Sequence, residues 1–185
     1  PSNSRIYFSG DDDVFARLEI MDGYLQEFDF SPESKPGSVV AWQPKSFTEP
    51  QYVSEQYPIG EDQPETNMVM VNWLMNDKAF TPLEELTVGI LDHLLMGTSS
   101  AILRKTLMES GYGEALTGGG LSDELLQATF SIGMKGVKAE NVSPLEQLIV
   151  DTLAKVAKEG FEADAIAASM NTIEFQLREF NTGSY

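Results

Sequence analysis

Two helix starts of the same chemistry do most to limit the folds open to this chain. Thr81-Pro82-Leu83-Glu84 and Ser143-Pro144-Leu145-Glu146 each set a hydroxyl residue before a proline and follow it with a glutamate. Proline suits the first helical position, and the hydroxyl and glutamate can satisfy each other's free backbone N–H groups, so both segments predict a helix entered at a defined residue. From the first start, Leu83, Leu86, Ile90 and Leu94 supply a stripe at helical spacing that is expected to be buried, ending near Gly97. A second helix is expected from about Ser100 to Ser110, closed by Gly111-Tyr112-Gly113. From the later start, Leu145, Leu148, Ile149, Leu153 and Val156 run to Gly160, and a last helix carries Ile166, Met170, Ile173 and Leu177 to about Phe180.

Strands are expected between and before these helix pairs. Glu114 to Thr117 and Gln127 to Val137 flank Gly118-Gly119-Gly120, which reads as a turn or bulge. Asn67 to Met75 alternates Met68, Met70, Asn72 and Leu74 with Val69, Val71 and Trp73. Both faces are largely apolar, which predicts a central strand. The order is that of an α+β fold, a mixed, mainly antiparallel sheet packed with paired helices.

The N-terminal third is less regular. Arg5 to Ser9 is a short β-prone run, and Asp11-Asp12-Asp13 has the chemistry of a helix N-terminus, with Val14, Leu18, Met21 and Leu25 following at helical spacing up to about Phe28. No calcium-loop spacing follows the three aspartates, so a metal reading has no support there. Pro32, Pro36, Gly37, Pro44 and Pro50 break any helix across 31–50, which is expected to be a linker holding one short strand, Val39 to Trp42. Gln51 to Tyr57 reads as an edge strand and Tyr57 to Asp62 as a turn.

Charge and composition narrow the function. The 185 residues carry 29 acidic and 12 basic side chains, a net charge of -17, and the first 62 hold 12 acidic against 4 basic. Such a surface repels a polyanion, which sets nucleic acid aside, and it lacks the polybasic segments that recruit a protein to anionic lipid. A cationic partner fits better. Zero cysteines exclude thiol nucleophiles, disulfides and cysteine-ligated zinc. The N-terminus has no signal-peptide pattern, and no apolar run is read as a bilayer span, so no membrane partner is expected. Pro1 in place of Met points to a processed or excised chain.

The residues alone assemble no catalytic or metal site. His93 is the only histidine, and Asp92 beside it points in another direction on a helix, so a structural role is expected for His93. The glycine triplet lacks the lysine and hydroxyl of a phosphate loop, and no serine sits in Gly-x-Ser-x-Gly. Asn141-Val142-Ser143 outlines a glycosylation sequon, but Pro144 follows directly. Trp42, Trp73 and the eight methionines fall mainly in apolar patterns and are expected in the core.

Longer stretches carry a resemblance: Gly10–Asp13, Val71–Leu74, Leu91–Thr98, Leu103–Lys105, Glu109–Leu116, Gly120–Gln127 and Asn171–Ser184. Together they make the chain similar to the organellar branch of the pitrilysin-type zinc metallopeptidases, over nearly its whole length. Members of that family are built from four related α+β domains that enclose a peptide chamber as two hinged halves. The resemblance implies that residues 1–30 are the end of the catalytic domain and its exit helix, 31–50 a linker, and 51–185 a non-catalytic second peptidase-like domain truncated at its C-terminal end. The family's inverted zinc motif, His-x-x-Glu-His with a distant glutamate ligand, would then lie upstream of Pro1. On that motif Gly89 takes the first histidine's place, Asp92 the glutamate's and His93 the second histidine's, so no zinc and no other cofactor is expected in this chain, while the parent enzyme uses zinc. The resemblance further implies cleavage of basic targeting peptides and other short peptides in the mitochondrial matrix or chloroplast stroma, with the remainder of the parent chain as a partner. The acidic charge would suit a chamber wall for such peptides. The competing reading is a non-enzymatic binding or assembly module of the same fold, and an autonomous hydrolase using carboxylates and His93 has the least support.

Overall fold

The computed structural model describes residues 1–43, 47–58, 60 and 66–179. The chain folds as two compact units, Pro1–Pro44 and Lys45–Tyr185.

In the first unit α1 spans Val14–Leu25 and α2 is a single turn, Ser34–Gly37. The aspartate triplet starts α1 as its chemistry predicts. Asp13 is the N-cap, its Oδ1 accepting from the N–H groups of Phe15 at 2.8 Å and Ala16 at 3.1 Å, while Asp12 pairs with Arg17. The guanidinium of Arg17 also lies over the Phe8 ring, 4.9 Å from its centroid. None of the described residues of this unit is buried. Two strand expectations fail here. Arg5 to Ser9 and Val39 to Trp42 are irregular, because β-propensity is realised only where a partner strand supplies a ladder, and none forms among the described residues of this unit.

The second unit is the α+β domain expected from the element order. Its elements are β1 (Asn67–Leu74), α3 (Pro82–Asp92), a π-helical turn (His93–Gly97), α4 (Ile102–Ser110), β2 (Ala115–Ser122), β3 (Thr129–Val137), a 3-10 turn (Ala139–Asn141), α5 (Val142–Glu159) and α6 (Ala163–Arg178). The strands form one antiparallel sheet in the order β1-β3-β2. Val71 lies opposite Ile132 and Trp73 opposite Phe130, and on the other side Leu116 pairs with Met134 and Leu121 with Phe130. Phe130, Ile132, Met134 and Val137 of β3 are buried with Leu103 and Leu107 of α4 and Leu145, Ile149 and Val156 of α5. Each fully buried leucine or isoleucine of this set contributes roughly 1.5–3 kcal/mol. The rings of Trp73 and Phe130, 5.9 Å apart, extend the cluster across the sheet.

The helix starts behave as their chemistry requires, with one difference. Thr81 accepts from the Glu84 N–H at 3.3 Å, and Glu84 accepts from the Thr81 N–H at 2.8 Å, a complete capping box. The Thr81 N–H and the Thr81 hydroxyl, each donating to the Glu84 carboxylate at 2.8 Å, hold that carboxyl below its ordinary range. At the later start the helix begins two residues before Pro144, at Val142, continuing from the 3-10 turn without a side-chain cap.

Four further expectations are corrected. Asn67–Leu74 forms a strand but lies at the sheet's edge in the described residues, not its centre, with Val69, Val71 and Trp73 half-buried and Met68, Met70 and Leu74 exposed. Apolarity on both faces signals contact area and does not say which edge is paired. Gln51 to Tyr57 makes no ladder; its Tyr52 hydroxyl instead donates to Glu146 at 3.1 Å and its Tyr57 hydroxyl to the Thr66 carbonyl at 2.9 Å. The stripe on α3 is less buried than its spacing predicts: Leu83 and Leu86 are exposed, and burial passes to Leu95 and Met96, which the wider π turn brings into the core. Finally, against the expectation that no apolar run is a bilayer span, the 29-residue stretch Pro82–Ser110 holds an 18-residue window of mean hydropathy 1.4 and is long and apolar enough to cross a membrane by length and composition. A turn at Thr98–Ala101 divides it, and Leu103 and Leu107 of α4 belong to the core. The residues expected as a turn at Ile59, Glu61 and Asp62, and Phe180 at the end of the last helix, lie outside the described residues.

β1 and β3 approach closely at Gly133, where a Cβ would overlap the Val69 carbonyl oxygen. Gly133→Ala is expected to cost about 1–3 kcal/mol by forcing this pair of strands apart. A thermal melt would show it as a fall of several degrees, against a small change for Gly119→Ala, whose added methyl meets no atom within 4 Å.

Candidate functional site

The sequence singles out one helix, and the structure shows what its side chains do. α3 and the π turn carry Gly89, Asp92 and His93 past the edge of β2 on one side and past α6 on the other. Asp92 turns toward β2. Its Oδ1 accepts the Leu121 N–H at 2.8 Å, occupying a backbone donor on the edge strand just beyond the glycine triplet. The triplet is a bulge within β2 and not a phosphate cradle: the register shifts between Thr117 and Gly120, and Gly120, at φ 75°, leaves room for the Asp92 carboxylate where a Cβ would collide with it. His93 turns the other way. Its Nδ1 lies 2.9 Å from the Ser169 hydroxyl on α6, with Ser169 only 5% exposed.

Asp92 and His93 are therefore adjacent in sequence and engaged on different elements. Burial raises the Asp92 carboxyl above its ordinary range, partly offset by the Leu121 hydrogen bond and the neighbouring His93. Among the described residues, no three His, Cys, Asp or Glu side chains converge where they could hold a metal ion. The donor set on this helix does not fit zinc in any case. Position 89 offers no side chain, the Asp92 carboxylate is committed to β2, and the one imidazole already has a partner on one nitrogen.

The other singled-out residues have structural partners. Asp12 and Asp13 serve α1, and the Asn141 side-chain amide donates to the Tyr112 carbonyl at 3.4 Å. Trp73 packs against the core, whereas Met68, Met70 and Met108 are exposed, so the core assignment of the methionines holds only in part. Sequence reasoning missed Ser169. Its one signal was a small hydroxyl beside the apolar positions Ile166, Met170 and Ile173. Also unforeseen is a groove of about 890 Å³ that opens beside His93 and Ser169, between α4, the end of α5 and the first half of α6.

Residues 1–173 match the family model described as the peptidase M16 inactive domain. The chain belongs to the M16 inactive-domain family. It is 53% identical over its full length to presequence protease 1, chloroplastic/mitochondrial, of Arabidopsis thaliana, and covers 17% of that protein. It is also 30% identical over its full length to protein HypA of Clostridium perfringens, covering 19% of it, and 27% identical over 96% of its length to the mitochondrial presequence protease of Gibberella zeae, covering 18%. This inactive domain thus spans about a fifth of the length of these relatives. In its helix Gly89 offers no side chain, and Asp92 and His93 direct theirs into contacts with β2 and α6.

Asp92 gives a test with a defined sign. Because its folded-state pKa is raised, protonation favours the folded chain, and stability contributed by this group falls as pH rises from the ordinary carboxyl range through the raised value. Asp92→Asn keeps an oxygen acceptor for Leu121 without the charge. It is expected to be at least as stable as the parent at pH 7, with the difference closing as pH falls to about 4. Asp92→Ala leaves the Leu121 N–H unpaired and is expected to lose about 1–2 kcal/mol. Urea denaturation of the three chains at both pH values checks the order.

Proposed function

We propose that this chain is a non-catalytic segment of a zinc metalloendopeptidase that degrades cleaved targeting peptides and other short unstructured peptides, and that it forms part of the wall of the peptide chamber. The observation that carries the reading is the state of the Gly89–His93 helix. In a domain of a peptidase family, the positions that would bind zinc and activate water are a glycine, a carboxylate committed to a neighbouring strand and a histidine bonded to a serine. The fold is retained and the chemistry is not.

In this reading residues 1–30 lead out of a catalytic domain, 31–50 link, and 51–185 belong to a second peptidase-like domain. The division of the chain into units at Pro44 supports a boundary within that linker. The zinc belongs to the parent enzyme, outside these residues, and the remainder of that chain is the first partner. The names of the relatives support action on presequences in the mitochondrial matrix or chloroplast stroma. Presequences are rich in arginine and poor in acids, and a chain of net charge -17 would draw them by long-range attraction.

The purified chain is expected to bind no stoichiometric zinc and to leave an arginine-rich presequence peptide intact. Metal analysis after dialysis and mass spectrometry of the incubated peptide check both. One zinc per chain together with chelator-sensitive cleavage would overturn the proposal.

A further inference from the structure

The two edges of the sheet are finished differently. At the β2 edge the glycine bulge breaks the register between Thr117 and Gly120, and the Asp92 carboxylate occupies the Leu121 N–H. Bulges and charged groups of this kind keep an edge from pairing with another strand. β1, at the other edge, carries no such device beyond the irregularity between Asn67 and Val69 at its start. Asn67–Leu74 holds no charged residue, no proline and no glycine, in a chain with 29 acidic and 12 basic side chains. From Val69 to Leu74 its register with β3 is unbroken, and among the described residues no backbone hydrogen bond from another segment reaches its outer side.

Burial points the same way. Phe130, Ile132 and Met134 of β3 are buried, whereas Val69, Val71 and Trp73 on β1 pack against the same cluster and stay half-buried. On the other face of β1, Met68, Met70 and Leu74 are 50%, 47% and 41% exposed. A strand apolar on both faces has the makeup of an interior strand of a wider sheet. We infer that β1 takes a further strand along its open edge, supplied by the parent polypeptide outside these 185 residues and apolar on the side that extends the row of Val69, Val71 and Trp73. Charge selects this occupant over a second copy. Two copies pairing edge to edge would bring together two chains of net charge -17 each, whereas a strand of the same polypeptide is held at high effective concentration by its linkage. The relatives have chain enough to supply it, since these residues span about a fifth of their length. The inference rests on the reading of this chain as one segment of a longer polypeptide and does not depend on what that polypeptide cleaves.

Amide hydrogen exchange of Asn67–Leu74, resolved to single residues and measured in the 185-residue chain and in the parent protein, tests it. Alternate residues of β1 bond to β3, so the N–H groups between them point to the open side. In the 185-residue chain these outward groups are expected to exchange rapidly at every protein concentration, while the amides of β3, paired on both sides, are protected. In the monomeric parent protein the outward groups are expected to slow by about 100-fold or more. Equally rapid exchange in the parent would overturn the inference and leave the segment reading in place. Protection in the 185-residue chain that grows with its concentration would assign the edge to a second copy, and protection there at every concentration would assign it to this chain itself. Either result rejects the parent strand. A natural polypeptide consisting of these 185 residues alone would remove the segment reading and the inference together.

Discussion

The second unit depends on the buried face of β3. Phe130, Ile132 and Met134 point from alternate positions of this strand into one cluster with Leu103 and Leu107 of α4 and Leu145 and Ile149 of α5. β3 is also the strand that both others pair with, so the sheet's hydrogen bonds and its core meet on the same nine residues. Gly133 lies among the inward-facing residues but on the opposite side of the strand, where the absence of a side chain lets β1 come within contact of the backbone. The π turn that carries His93 joins the same cluster through Leu95 and Met96.

On that frame the polar side chains of the Gly89–His93 helix are turned to structural partners. A metal requires several donors to converge, which keeps polar side chains away from other partners. Here each donor has found one: Asp92 closes a backbone N–H on the β2 edge, and His93 holds α6 through Ser169. Both contacts join elements far apart in sequence, 29 residues for the first and 76 for the second. Hydrogen-bonding capacity of the kind that would serve chemistry in an active domain is used here to tie helices and sheet together. The groove beside them remains open because the facing wall of α6 is built from alanine, serine and threonine.

Much of the fold was legible in the order of residues, and the successes share a cause. The capping box at Thr81 and Glu84, the aspartate cap at Asp13, the end of α4 at Gly111 and the bulge at Gly118–Gly120 are all local, set by residues within a few positions of one another. The failures are non-local. Arg5 to Ser9, Val39 to Trp42 and Gln51 to Tyr57 have strand composition, but a strand exists only with a partner, and partner choice is not written in a short window. The α3 stripe failed for a related reason: Leu83 and Leu86 at the start of the helix meet no covering element among the described residues and are exposed, and the π turn at its end carries Leu95 and Met96 into the core.

The amino-acid sequence by itself determined the helix starts and stops, the glycine bulge, the α+β class and the likeness to a peptidase family, because each follows from short-range chemistry or from long blocks of residues. It also determined that one histidine and no cysteine are available, which limits any metal site before folding is considered. Only the tertiary structure decided that β1 lies at an edge, that Asp92 and His93 diverge to β2 and α6, and that a groove lies open beside them. These outcomes depend on which distant segments pack together, and that is settled by the shape and burial of the whole core around β3.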